Sequence, residues 1–389
     1  MSLPLAGLRI LDFGHTIMGP SCGVILADLG AEVIRIEPPG GDRTRRLVGF
    51  GIGFFSTFNR NKRSLAVDLK DPRGKAIVLR LAETADAVIE NFAPGTMERL
   101  GLHAAALEAV NPRLVYCSLK GYLPGPYENL PALDEVVQMQ GGLAFMTGPP
   151  GQPLRAGASV VDIMGGMFGV IAILAALRQR ETTGKGQAVM ASLFETVAFL
   201  VAQHMAAGAI TGTPMPPMTQ RHQTWGIYDI FEAADGQVFV GVVSDQHWQR
   251  LILAFPELAD LGADPALATN AQRVLHRNVT MPRLATVFAG MTVAAVVTAC
   301  NAALIPAAPV NRPDDLFNDP HLLAGGAMAT HQLAPGLEAK LPVTPVVMGE
   351  GTLPLRSQPP AAGADTADLL AELGYDARAL ADAGVVQIG

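Results

Sequence analysis

A run of fifteen uncharged residues, from Ile163 to Leu177, constrains the fold of this 389-residue chain more than any other stretch. Such a run supplies four turns of helix but is shorter than the roughly twenty residues needed to cross a bilayer. We therefore predict a helix that is buried on nearly all sides in a soluble core, and no membrane span.

A single carboxylate, Asp162, stands directly before this run. In the first turn of a helix, unpaired backbone N–H groups and the positive end of the macrodipole favour an ionised carboxylate, which makes Asp162 a candidate nucleophile. Gly165 and Gly166 follow without side chains, so another backbone or a bulky ligand can come close. Ser159 and Asp162 also fit a helix-capping pair, which is a purely structural alternative.

The first 120 residues alternate between short apolar runs and helical patterns. The apolar runs predict strands at 8–13, 31–37, 64–69, 86–92 and 114–119. Strands that alternate with helices indicate an α/β fold, in which a parallel sheet is covered on both faces as in Rossmann-like domains. No Gly-x-Gly-x-x-Gly follows the first strand, so the sequence does not support dinucleotide binding.

The character of the sequence changes after a link rich in Pro and Met at 213–218. Residues 227–243 form a hairpin pattern around Asp235-Gly236, and helical patterns follow it. We predict a large Rossmann-like domain at 1–212 and 326–389, a linker at 213–224, and a small α+β domain at 225–325.

The net charge of −7 argues against nucleic acid as a partner, but residues 35–80 hold eleven basic residues against four acidic ones. Such a segment is suited to a small polyanionic ligand, because local potential rather than net charge holds phosphates. The cysteines, Cys22, Cys117 and Cys300, are far apart and in no metal-like spacing. Reduced thiols in a cytoplasmic protein without a bound metal are the expectation.

Several stretches together resemble the class III CoA-transferases, the family of formyl-CoA transferase, carnitine CoA-transferase and α-methylacyl-CoA racemase. The resemblance covers almost the whole chain. It is carried by residues 7–12, 28–37, 59–70, 90–95, Gly121-Tyr122, Asp162 with its two glycines, and 183–187.

This resemblance implies that Asp162 is the nucleophile of a CoA-transferase. Its carboxylate would attack an acyl-CoA to form a mixed anhydride, which CoA thiolate would convert to an aspartyl-CoA thioester before an acceptor acid takes the CoA. No permanently bound cofactor is implied, since CoA and acyl-CoA are substrates. The family also implies a homodimer of interlocked chains, and the high apolar content of 49% is consistent with a large interface.

The resemblance further implies which residues line the CoA site. They are His15, Val67 through its backbone, Lys70, Asn91, Phe92, Arg99 and Lys120. Two further basic residues, Arg155 and Arg221, are candidates to hold the second carboxylate of a small dicarboxylic acid such as succinate.

The chain departs from the family pattern at several positions. Pro131 and Leu133 replace the Lys and Tyr that formyl-CoA transferase has before the family acid, here Asp134. The glycine-rich loop of that enzyme is absent after Gly241, and a late family motif appears only as residues 362–366.

Two alternatives stay open at this point. An acyl-CoA racemase needs a His and Asp pair, but Leu133 occupies the position of the His and cannot transfer a proton. A catalytically silent CoA-binding homologue is the other alternative, and an intact Asp162 counts against it. The sequence does not identify the donor and acceptor acids.

Overall fold

The computed structural model describes residues 3–220, 224–334, 336–349 and 351–389. The chain divides into two compact units, a larger one that runs to Gln220 and resumes at Pro320, and a smaller one that ends at Asp319. The predicted boundaries differ from these by several residues, because 213–220 and 320–325 are both part of the larger unit.

The described residues form fourteen strands, which are β1 (Arg9–Asp12), β2 (Glu32–Glu37), β3 (Lys62–Val67), β4 (Ala87–Glu90), β5 (Val115–Lys120), β6 (Ala188–Ser192), β7 (Ile227–Ala233), β8 (Gly236–Val242), β9 (Ala307–Pro309), β10 (Met328–Ala334), β11 (Leu337–Pro342), β12 (Val347–Met348), β13 (Gly351–Thr352) and β14 (Val386–Gln387). The helices of the larger unit are α1 (Met18–Asp28), α2 (Phe54–Phe58), α3 (Pro72–Ala82), α4 (Thr96–Leu100), α5 (Ala104–Val110), α6 (Asp134–Gln140), α7 (Leu143–Thr147), α8 (Val160–Thr183) and α9 (Leu193–Thr211). Those that follow are α10 (Asp245–Ala254), α11 (Ala259–Ala263), α12 (Asn270–Leu275), α13 (Arg277–Ala289) and α14 (Val293–Ala302) in the smaller unit, then α15 (Pro320–Ala324), α16 (Thr366–Glu372) and α17 (Ala377–Asp382).

The larger unit is built on a seven-stranded sheet in the order β14-β3-β2-β1-β4-β5-β6. Strands β1 to β6 pair in parallel, and β14 joins β3 antiparallel at one edge. The order β3-β2-β1-β4-β5-β6 is that of the doubly wound Rossmann fold. The predicted α/β class and the parallel sheet are therefore confirmed, and each of the five predicted strands overlaps an observed one.

Alternate residues of the strands pack against helices on opposite faces of the sheet. On one face, Ile10 belongs to an apolar core that includes residues of α1 and α8. On the other face, Leu11 belongs to a second core with residues of α3 and α16. Strands buried on both faces explain why the sequence shows continuous apolar runs there instead of alternation.

Helix α8 is longer than its uncharged run, because it begins at Val160 and continues to Thr183. By length and composition, α8 and the 19-residue α9 are both apolar enough to span a membrane. The prediction that α8 is too short to span a membrane rests on the length of the uncharged run alone. Because the observed helix is longer than that run, this prediction is wrong. Helix α8 nevertheless lies on the sheet of the larger unit, with Val161 and Ile173 in its core.

The smaller unit contains the predicted hairpin, formed by β7 and β8, with β9 added beside β8. Its own apolar core includes Trp248, Phe255 and Phe288. In the larger unit, the C-terminal part of the chain adds two short antiparallel ribbons, β10 with β11 and β12 with β13.

Candidate active site

Asp162 lies in the first turn of α8, where the sequence analysis placed it. Ser159, the residue before the helix, makes no capping hydrogen bond with its side chain, so the structural alternative of a Ser159–Asp162 capping pair is wrong. The helix is instead capped by Asp134, whose Oδ2 accepts hydrogen bonds from the backbone nitrogens of Val161 at 2.9 Å and Asp162 at 3.1 Å. Within the described chain, the Asp162 carboxylate accepts no hydrogen bond and is left available for chemistry.

The surroundings of Asp162 raise its pKa to about 7. Burial is the largest cause, because it removes water from the carboxylate, and the negative charges of Asp134 and Glu135 add to it. The sequence predicts that the helix terminus favours the ionised form. That expectation is wrong because burial removes water from the carboxylate, and because Asp134 takes the first-turn N–H groups and brings a like charge.

This pKa predicts a pH dependence of the reaction. If Asp162 is the nucleophile that the resemblance implies, only its ionised form reacts, so kcat/KM for an acyl-CoA should rise with pH to a plateau, with its midpoint near 7. Glu135→Gln removes one of the charges that raise the pKa, and it should shift the midpoint to lower pH. Glu181→Gln, at the exposed far end of α8, is the matched control and should leave the midpoint in place. A profile that is flat from pH 5.5 to 8.5 would contradict this prediction.

Gly165 and Gly166 face α1 and not an open cavity. A Cβ atom on Gly166 would lie 2.1 Å from Ser21 Oγ and 2.7 Å from the carbonyl oxygen of Met18. At Gly165 the nearest atom is the terminal Cε of Met18, at 2.6 Å. These glycines let two backbones approach closely, so a role in helix packing accounts for them better than the predicted contact with substrate.

Arg155 lies beside the carboxylates of α6. It forms an ion pair with Glu135, and its Nη1 lies 3.9 Å from Asp134 Oδ1. Its charge is therefore already compensated within the protein, which weakens the predicted role of holding a substrate carboxylate. The other residue predicted for that role, Arg221, lies outside the described residues.

A cleft of about 880 Å³ lies along the carboxyl ends of the parallel strands. His15 follows β1, and Asn91 and Phe92 follow β4, so these three lie where the strand order reverses. Ligands of doubly wound folds bind in this crevice. Four of the predicted CoA-site residues line the cleft, namely His15, Asn91, Phe92 and Lys120.

The loop after β1 is held in place by Asn91. The backbone nitrogen of His15 donates to Asn91 Oδ1 at 2.7 Å, and Asn91 Nδ2 donates to the His15 carbonyl oxygen at 3.0 Å. The ring of His15 lies 5.5 Å from that of Phe92, and burial lowers its pKa. A neutral imidazole at neutral pH is therefore expected at the floor of the cleft.

Lys120 lines the cleft and also forms an ion pair with Glu90. Its Nζ donates to Glu90 Oε2 at 2.7 Å and to the carbonyl oxygen of Phe92 at 2.9 Å. Because Glu90 is buried, Lys120 compensates its charge and fixes the strand end beneath Phe92.

Lys70 and Arg99 line a second cavity, of about 690 Å³, which shares Thr96 with the cleft. Lys75 also lines it, and no carboxylate does. Three cations around one cavity have the charge that phosphate groups require, which is consistent with the predicted role of Lys70 and Arg99. Lys75 belongs to the basic segment but is not among the residues predicted for the CoA site, although its place in the first turns of α3 is a usable signal.

The predicted contact of Val67 with CoA is not supported by the lining of either cavity. Its side chain is buried in the core, and it pairs with Val386 of β14 at the edge of the sheet. Neither cavity is lined by Val67, so only its backbone remains as a candidate contact.

Much of the basic segment forms internal ion pairs. Those pairs are Arg35 with Asp42, Arg45 with Glu37, Arg60 with Asp28, Lys62 with Asp12 and Arg63 with Glu32. Arg43 and Arg46 line the cleft without such a pair in the described chain. The part of the segment that is free to bind a polyanion is therefore smaller than the sequence suggested.

The family description "CoA-transferase family III" matches residues 5–366. The chain is 34% identical to a succinate–glutarate CoA-transferase of Agrobacterium fabrum over 95% of this chain and 96% of that protein. It is 32% identical to the human succinyl-CoA:glutarate CoA-transferase over 98% of this chain and 90% of that protein.

A solved structure has the same fold. The structure of a CAIB/BAIF family protein from Brucella suis matches with a TM-score of 0.85 and 31% identity, over 96% of this chain and all of that one. A protein of Mycobacterium tuberculosis, Rv3272, matches with a TM-score of 0.81 and 30% identity, over 95% of this chain and 99% of that one.

Proposed function

The chain belongs to CoA-transferase family III, and from that premise we propose that it moves CoA from a short dicarboxylic acyl-CoA, with succinyl-CoA as the first candidate donor, to another carboxylic acid. The observation that carries the proposal is the Asp162 carboxylate, which is partly buried and accepts no hydrogen bond in the described chain, and whose backbone is bound by Asp134. Leu133 lines the cleft, and the next residue, Asp134, binds the amide of Asp162. Relatives that act on succinate and glutarate support the choice of donor.

In the first half of the proposed reaction, Asp162 attacks the thioester carbonyl of the donor. The bond between that carbonyl and sulfur breaks, which gives an aspartyl mixed anhydride and CoA thiolate. The thiolate then attacks the aspartyl carbonyl, so the donor leaves as a free carboxylate and Asp162 carries CoA as a thioester.

In the second half, the acceptor carboxylate attacks the aspartyl thioester and releases the thiolate again. The thiolate attacks the acyl carbonyl of the new anhydride, which yields the acceptor's CoA ester and regenerates Asp162. Each intermediate is about as reactive as the substrates, so a site with apolar walls that exclude water avoids loss by hydrolysis.

The proposal is tested by incubating the protein with succinyl-CoA and a mixture of carboxylic acids. Mass spectrometry of acids and CoA esters reads donor and acceptor together, and new thioesters should appear in step with free succinate. If no acid acquires CoA from any of several acyl-CoA donors, the proposed function is wrong. No feature of the described chain favours the racemase alternative, since Leu133 carries no proton-transferring group.

We also propose that the protein is a homodimer. Helices α8 and α9 expose large apolar side chains in the isolated chain, namely Met167, Ile171, Phe199, Met205 and Ile210, which are 47–85% exposed. Apolar surfaces of this kind are typical of obligate homodimer interfaces. We expect a species of twice the 40.8 kDa chain mass at nanomolar concentration in analytical ultracentrifugation. A compact, active monomer at that concentration would refute the dimer.

A further inference from the structure

Residues 47–54, called here the apolar segment, expose three large side chains. Val48 is 85% exposed, Phe50 is 75% exposed and Ile52 is 74% exposed. They alternate with Gly49, Gly51 and Gly53, so no side chain of an adjacent residue crowds these three large groups. Large apolar groups exposed together on one short segment indicate a binding surface, whereas single exposed ones need no explanation.

The apolar segment is connected to the surroundings of the predicted nucleophile through Arg155. The guanidinium of Arg155 lies 6.0 Å from the centre of the Phe50 ring. The same guanidinium pairs with Glu135 and lies 3.9 Å from Asp134, whose other oxygen accepts the amide hydrogen of Asp162. Phe50 is thus linked to the helix terminus that carries Asp162 through two side chains, those of Arg155 and Asp134.

The wall of the cleft is also apolar next to Asp134. Leu130 and Leu133 line the cleft and are 49% and 65% exposed. Arg155 brings no free charge, because its ion pair with Glu135 compensates it. Leu133, which directly precedes Asp134, and Phe50, which lies next to Arg155, therefore both bring hydrocarbon to the surroundings of Asp134.

We propose that the apolar segment, with Phe50 at its centre, contacts the carbon chain of the acid that exchanges CoA, and so makes the enzyme select acids by the length of that chain. The inference rests on the proposed function, because the acid must bind beside Asp162 to accept CoA. Each methylene that enters an apolar pocket contributes about fourfold to transfer efficiency. The substrate class is therefore a carboxylic acid with several methylene groups, and the shortest acids are poor acceptors.

The test measures kcat/KM for a series of unbranched dicarboxylic acids from three to seven carbons, with one fixed acyl-CoA donor. In the wild type, efficiency should rise about fourfold per methylene until the pocket is filled. Phe50→Ser should flatten this rise by lowering the efficiency of the longer acids more than that of the three-carbon acid, and Phe50→Leu should restore most of it. Leu253→Ser, at a residue of the smaller unit that is 81% exposed, is the matched control and should follow the wild type.

The test distinguishes failure of the inference from failure of the proposed function. An unchanged rise in Phe50→Ser, with active enzyme, overturns the inference and leaves the proposed function standing. An unchanged rise together with loss of the dimer in Phe50→Ser also overturns it, since the segment then belongs to the subunit interface. Absence of CoA transfer to every acid by the wild type overturns the proposed function and the inference with it.

Discussion

Asp162→Asn should reduce CoA transfer by at least about 1,000-fold, because the variant lacks the oxygen nucleophile through which the whole exchange runs. Neighbouring groups cannot replace it. Asp134 is occupied by the amides of Val161 and Asp162, and Glu135 by Arg155. Transfer is measured from the rate of new thioester formation at saturating acyl-CoA, and Asp162→Ala is made in parallel to exclude deamidation of the asparagine.

A trapping experiment separates loss of the nucleophile from loss of structure. Hydroxylamine added during turnover should convert the aspartyl-CoA thioester of the wild type into a hydroxamate on the peptide that contains Asp162. No such adduct should form in Asp162→Asn, whereas Glu135→Gln should still form it. A hydroxamate on another carboxylate, or turnover in Asp162→Ala within tenfold of the wild type, would refute the assignment.

The same variant should not lose stability. Folding raises the pKa of Asp162 from 3.8 to about 7, so the native state binds this proton more tightly than the unfolded state. The carboxylate therefore lowers the free energy of unfolding as the pH rises through that interval, and the cost is complete above pH 7. Asp162→Asn removes the charge, so its midpoint of thermal unfolding at pH 8 should equal or exceed that of the wild type.

The sequence predicted the sheet and the cleft well for a physical reason. Apolar strands that alternate with helices have few stable arrangements, and parallel strands bring their carboxyl ends to one edge. His15 and Asn91, 76 residues apart, could therefore be expected at the same crevice, and Asn91 does bind the backbone of His15. The first-turn position of Asp162 likewise followed from local pattern alone.

The environment of Asp162 was not predictable in this way. Asp134 precedes it by 28 residues, and no local pattern indicates that its carboxylate caps α8. The ion pairs of the basic segment pose the same difficulty, since Lys62 of β3 reaches Asp12 across β2. Such pairs depend on which strands are neighbours and on how each side chain is directed, and one sequence does not contain that information.

The contact between α1 and α8 is where a small substitution should have the largest effect on folding. Gly166 lies against the backbone of α1, because a Cβ atom there would be 2.7 Å from the Met18 carbonyl oxygen and 3.1 Å from the Cys22 nitrogen. A backbone cannot move aside as a side chain can, so the helices would have to separate. Helix α1 follows directly on the loop of His15, and α8 carries Asp162, so this separation would disturb both parts of the site.

We therefore expect Gly166→Ala to lower the free energy of unfolding by about 3 kcal/mol and the midpoint of thermal unfolding by roughly 5 °C or more, and Gly166→Val to prevent folding. Gly165→Ala tests the reasoning within the same helix, because there the nearest atom ends the flexible Met18 side chain and the loss should be smaller. Gly157→Ala, with no atom within 4 Å of the added carbon, should leave the midpoint unchanged. Equal midpoints for Gly166→Ala and Gly157→Ala would show that α1 and α8 are not held together by this close backbone contact.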